Sequence, residues 1–136
     1  MQALVKQKGL ESKIICDSAG TIDYHRGKPA DARMQKHASL RGYELSSISR
    51  PFENEDFELF DLIITMDDDN YLQIKWFDQS KSYTDKIRRM TDFCSTSQIS
   101  EVPDPYYGGN QGFENVLDIL EDACQGLLEF VMNKKQ

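Results

Sequence analysis

Asp104 stands between Pro103 and Pro105 and is followed by Tyr106-Tyr107-Gly108-Gly109. An acid in that setting can give a proton to a departing oxygen, which is what a poor leaving group such as a phenolate requires. The flanking prolines restrict the backbone around the carboxyl, and the two glycines permit a sharp return of the chain. The plainer alternative is an ordinary turn, because Asp-Pro and Gly-Gly pairs are common in loops. Two adjacent tyrosines set this stretch apart. They can stack on an aromatic ring and give a slot its depth, or cover the edge of a neighbouring helix. A general acid of this kind needs a nucleophile opposite it, for which the expected form is a cysteine followed six positions later by an arginine in a phosphate-cradling loop. Cys16 is followed at that offset by Ile22, Cys94 by Ser100 and Cys124 by Phe130. None of the three has the pattern.

Other chemistry-bearing residues are fewer. Ser18 can hydrogen-bond and shape a phosphate loop, or simply cap a turn. Tyr24 and His25 can form the opposite wall of a pocket. His25 has no second histidine, cysteine or carboxylate at ligand spacing, so no metal is expected. The run Asp67-Asp68-Asp69-Asn70 can attract a divalent cation, but capping the next helix is its more ordinary use. No cofactor motif is present.

These residues need elements to position them. Met1 to Gly9 reads as the tail of a helix with Gly9 as its stop, and no cap or strand precedes it. Lys13-Ile14-Ile15-Cys16 is a short apolar run of the kind expected for a buried parallel strand, entering the loop at Asp17-Ser18. Ala30, Met34, Ala38 and Arg41 are at helical spacing, with Gly42 as the stop. A short helix through Glu55, Asp56 and Phe57 should lead into a strand from Leu59 to Met66, followed by a helix from Tyr71 to Phe77. A weaker strand covers Ile87 to Thr91. From Phe113 onward, Val116, Leu117, Leu120, Cys124, Leu127, Leu128 and Val131 give the strongest helical period in the chain. Strands alternating with helices predict an α/β fold with a parallel sheet, whose ligands sit beyond the carboxyl ends of the strands.

The 136 residues suit a single domain, and the net charge of −7 disfavours nucleic acid and anionic membrane as partners. No apolar run approaches the roughly 20 residues of a membrane span, and the first residues do not form a signal peptide, so a cytoplasmic location is expected. Three cysteines without paired spacing fit reduced thiols.

Taken together, Cys16-Asp17-Ser18-Ala19-Gly20-Thr21, Phe60 through Asp67, Asp69-Asn70-Tyr71, Asp92-Phe93-Cys94 and Val102 through Gly109 closely resemble the low molecular weight protein-tyrosine phosphatase family. The matching segments stand in family order, and the octapeptide around Asp104 is the most specific. The resemblance implies a three-layer α/β/α domain and a two-step phosphomonoester hydrolysis without a cofactor. A cysteine thiolate takes the phosphoryl group, an arginine and backbone N–H groups hold its oxygens, and Asp104 serves as general acid and then base. It implies a loop-supporting role for Ser18 and a pocket mouth lined by Tyr24, His25, Tyr106 and Tyr107. Tyr106 and Tyr107 are also implied regulatory phosphorylation sites. The implied partners are phosphotyrosine proteins or small aryl phosphates, and where many relatives carry Trp or Tyr followed by other residues this chain has Tyr24-His25.

One departure accompanies the resemblance. The family's first strand, its Cys-x5-Arg loop and the start of its first helix have no counterpart in these residues, which reads as an amino-terminal truncation of the family's domain. That strand is central in the family's sheet, between the strands ending at Cys16 and Met66. Without its two ladders the chain forgoes about ten hydrogen bonds of about 1 kcal/mol each, against a total stability of about 5 to 15 kcal/mol. Incomplete folding and no catalytic turnover are therefore expected of the chain as it stands. The rival reading is a non-catalytic pseudophosphatase or phosphotyrosine-binding module that keeps the pocket walls. An arsenate reductase ranks last, because Cys94 and Cys124 are not an obvious resolving pair.

Overall fold

A computed structural model describes residues 1–21, 27, 30–96, 99–105 and 109–134. Its elements in chain order are α1 (Gln2–Gln7), α2 (Ala32–Leu40), α3 (Asp56–Leu59), β1 (Ile63–Thr65), α4 (Asp68–Phe77), β2 (Ile87–Arg89) and α5 (Gly109–Lys134), with 3-10 turns at Thr84–Lys86 and Met90–Phe93. The strands β1 and β2 pair in parallel, Ile63 opposite Ile87, Ile64 opposite Arg88 and Thr65 opposite Arg89. The Thr65 hydroxyl donates to the Arg88 carbonyl at 3.2 Å, which ties the two strands a second time.

Successive β1 side chains point to opposite faces, and each face has its own core. Ile63 packs with Phe57, Ile74 and Ile87 under α3 and α4. Ile64 packs with Met90, Phe93, Val102, Val116, Ala123 and Leu127 against α5, where Met1, just ahead of α1, and Met34 of α2 join. Helices therefore cover both faces of a parallel ladder, as the α/β expectation requires.

Helix boundaries follow local chemistry. Asp31 starts α2 by accepting the Arg33 and Met34 N–H groups, and Gly42 stops it with φ of +86°. Asp67, the first residue of the cluster expected to cap it, is the N-cap of α4, so the helix begins at Asp68 rather than Tyr71. The long helix begins at Gly109, four residues ahead of the periodic apolar pattern.

Two strand expectations are corrected. Lys13–Cys16 is not a strand: Lys13 and Ile14 both donate to the Leu10 carbonyl in a turn, and Ile15 is 83% exposed. The nearest sheet-like contact that follows it along the chain is the parallel bridge between Gly20 and Pro51. An apolar run becomes a strand only where a neighbour completes its ladder, and none lies beside Ile14–Cys16. The second strand spans Ile63–Thr65 instead of Leu59 to Met66, since only three residues find partners in β2, and Leu59 ends α3 with its side chain in solvent. The third is likewise short, because Met90 and Thr91 turn into a 3-10 helix.

Candidate active site

Asp104 is exposed just beyond the carboxyl end of β1. The Val102 N–H donates to the Met66 carbonyl at 2.7 Å, and the Val102 side chain is buried in the α5 core. After Asp104, the Pro105 carbonyl packs on α5 at Gly112, where an added Cβ would sit 3.0 Å from it. The acid is therefore held between a strand end and a helix by contacts on either side.

Charged groups brace the same loop. Glu101 hydrogen-bonds to Asp68 in the first turn of α4, which pushes the Glu101 carboxyl above its ordinary range. Asp68 is in turn held below its ordinary range by its hydrogen bond to the Arg89 guanidinium. Arg89 also reaches the Ser100 carbonyl at 3.4 Å, and the Thr91 hydroxyl donates to it at 3.0 Å. Beneath them Asp67 and Asn70 form a reciprocal cap: Asp67 Oδ1 accepts the Asn70 N–H at 2.8 Å, while Asn70 Oδ1 accepts from Asp67 at 3.1 Å and Met66 at 3.2 Å. The acidic run thus caps a helix and pairs with an arginine.

Ser18 lies on a second frame. Its N–H donates to Asp17 Oδ1 at 2.8 Å, and Asp17 Oδ2 accepts from Arg50 Nη2 at 3.0 Å and Nε at 3.2 Å. Arg50 also grips the buried Asp56 with two bonds, Nη1 to Oδ2 at 2.9 Å and Nη2 to Oδ1 at 3.1 Å. The Gly20 N–H donates to the Arg50 carbonyl and the Phe52 N–H to the Gly20 carbonyl, both at 2.8 Å. Arg50 and Asp56 escaped the sequence reading, because an arginine and an aspartate six apart carry no periodic signal until the chain folds them together.

The three cysteines are free and half-buried. Burial pushes the Cys16 and Cys94 thiols up, away from the thiolate form a nucleophile needs. Tyr24, His25, Tyr106 and Tyr107 lie outside the described residues. Among the described residues no group of three or more ligating side chains could hold a metal ion, and no helix is long and apolar enough to cross a membrane.

Residues 1–136 match the family described as low molecular weight phosphotyrosine protein phosphatase. A Synechocystis sp. protein named for that family is 48% identical over 94% of this chain and 82% of its own length. The Bacillus subtilis low molecular weight protein-tyrosine-phosphatase YfkJ is 35% identical over 98% of this chain and 84% of its own. Among solved structures, a protein tyrosine phosphatase from Entamoeba histolytica, with Hepes in its active site, superposes with a TM-score of 0.91 at 47% identity, covering 99% of this chain and 86% of that one. The YfkJ crystal structure also gives 0.91, at 34% identity. With its parallel ladder, its two helical layers and an acid loop at the strand end, this chain belongs to the low molecular weight phosphotyrosine protein phosphatase family.

Proposed function

We propose that this chain forms a single domain carrying the general-acid half of a protein-tyrosine phosphatase site, working on phosphotyrosine proteins or small aryl phosphates in the cytoplasm. The observation that carries the reading is the placement of Asp104 beyond β1, fixed through Val102 and Pro105, in a chain that matches the family along its length. In the first step a cysteine sulfur bonds to phosphorus, the bond from phosphorus to the phenolic oxygen breaks, and Asp104 gives that oxygen its proton. In the second step the Asp104 carboxylate takes a proton from water, the hydroxyl bonds to phosphorus and the thiolate leaves. Ser18 supports the phosphate loop, while Tyr24, His25, Tyr106 and Tyr107 line the mouth, with Tyr106 and Tyr107 also open to regulatory phosphorylation.

No cysteine in these 136 residues has an arginine six positions on, and burial disfavours the thiolates of Cys16 and Cys94. On this reading the 136 residues hold the acid and the pocket walls but not the Cys-x5-Arg pair, and they are expected to show no turnover of an aryl phosphate by themselves. The same observation favours a second reading, a pseudophosphatase or phosphotyrosine-binding module.

The test compares hydrolysis of an aryl phosphate by the 136-residue chain and by a version extended with an amino-terminal strand and Cys-x5-Arg loop. Only the extended form should turn over, and Asp104→Ala in it should lower kcat by roughly 10² to 10⁴. Turnover by the 136-residue chain would refute the split-site reading. A cooperative melt together with phosphotyrosine binding by that chain would favour the non-catalytic module.

A further inference from the structure

The far end of α4 carries a feature that the phosphatase reading does not use. From Asp68 to Phe77 the helix runs about 14 Å, so its last turn lies well away from the Asp104 loop at its start. There Phe52 and Phe77 stack at 6.1 Å between centroids, and with Glu53, Asn54 and Glu55 they line an open cleft of about 330 Å³. Trp76 meets Phe77 edge to face at 5.8 Å yet is 68% exposed, and Leu72, one turn back on α4, is 62% exposed. An apolar strip thus leads into a cleft whose remaining rim is acidic.

Among the described residues, the cations nearby are already engaged. Arg50 is bound to Asp56 and Asp17, the Lys86 ammonium donates to the Phe57 carbonyl at 2.7 Å, and Lys75 lies 5.2 Å over the Tyr71 ring. The Glu53 and Glu55 side chains are exposed and form no ion pair with a described residue. The cleft therefore offers aromatic faces together with carboxylates that no described cation pairs, the combination that takes up an ammonium or guanidinium and its hydrocarbon stem.

We propose that this cleft and the Leu72–Trp76 strip form a docking site for a basic peptide segment in which lysine or arginine alternates with aliphatic residues. Cationic heads sit at Glu53 and Glu55, their stems lie over Phe52 and Phe77, and the aliphatic residues cover Trp76 and Leu72. Complementarity of charge selects this occupant, since the chain as a whole carries −7 and its cleft is acidic at the rim. The site is separate from the Asp104 loop and does not depend on catalysis.

Trp76 is the only tryptophan in the chain, so it reports on the site without a label. The capped peptide acetyl-KLKLK-amide, titrated into the 136-residue chain, should change and blue-shift the Trp76 emission, whereas acetyl-ELELE-amide should not. The double variant Glu53→Gln/Glu55→Gln should weaken KLKLK binding at least about fivefold, and the effect should shrink at high salt. The variant Glu11→Gln/Glu44→Gln, which removes the same charge elsewhere on the surface, should bind as the parent does. The proposal is overturned by an unchanged emission up to about 1 mM peptide, by equal binding of the acidic peptide, or by equal losses in the two double variants.

Discussion

Asp122, on α5, accepts from the Ser95 N–H at 3.0 Å, the Ser95 hydroxyl at 2.8 Å, the Thr96 N–H at 3.0 Å and the Thr96 hydroxyl at 2.9 Å. Those bonds, led by the Ser95 and Thr96 backbone N–H groups, hold its carboxyl well below the usual range. A depressed folded pKa means that the stabilisation is fully present above the unfolded value of about 4 and is lost as pH falls through the folded value. The urea midpoint of Asp122→Ala should accordingly lie below that of the parent at pH 7, and the gap should close on acidification below about pH 4. Asp56 differs in being buried. Burial pushes its carboxyl up, but the bonds from Arg50 and the Glu53 N–H outweigh this and leave it lowered. Asp56→Ala leaves the Glu53 N–H without its acceptor and Arg50 with only Asp17 and the Pro51 carbonyl, and should cost about 2 to 3 kcal/mol in chemical denaturation, against less than about 1 kcal/mol for the exposed Asp17→Ala.

The helix α5 approaches the backbone of the 3-10 turn at Met90–Phe93 closely. A Cβ on Gly126 would lie 2.0 Å from the Phe93 carbonyl oxygen, which is backbone and cannot swing aside. Helix propensity alone would make Gly126→Ala stabilising by about 1 kcal/mol, whereas the steric term predicts destabilisation of about 3 kcal/mol or more. A thermal melt separates the two, and a higher Tm in the variant would contradict the close approach. At the start of α4, Asp67→Ala removes half of the reciprocal cap with Asn70 and should cost about 1 kcal/mol in the same measurement. Cap and close approach differ in how visible they are in sequence. The acid run before an apolar helix announces the cap, while nothing around Gly126 announces Phe93, which is distant along the chain.

At the scale of the molecule, the sheet among the described residues has two strands, and large apolar side chains lie in solvent, Ile15 foremost. Ile15→Ser should therefore change stability by no more than about 0.5 kcal/mol, whereas a core-strand isoleucine would cost several times that. The Asp104 loop, the α4 cap, the long amphipathic helix and the α/β class were all legible in the chain, because each depends on residues a few positions apart: a proline-fixed acid, an Asp-x-x-Asn cap, a period of 3.6. The strand limits were not, because Lys13–Cys16 and Leu59–Met66 share the same apolar composition and pairing alone decides which residues become strand. Nor were Arg50 with Asp56, Glu101 with Asp68, or Asp122 with Ser95, since electrostatic partners are selected by distance in space. The sequence by itself determined which residues could do acid chemistry and which helices would form. Only the tertiary structure decided which strands exist, which carboxylates brace the Asp104 loop, and where an aromatic, acid-rimmed cleft opens at the far end of α4.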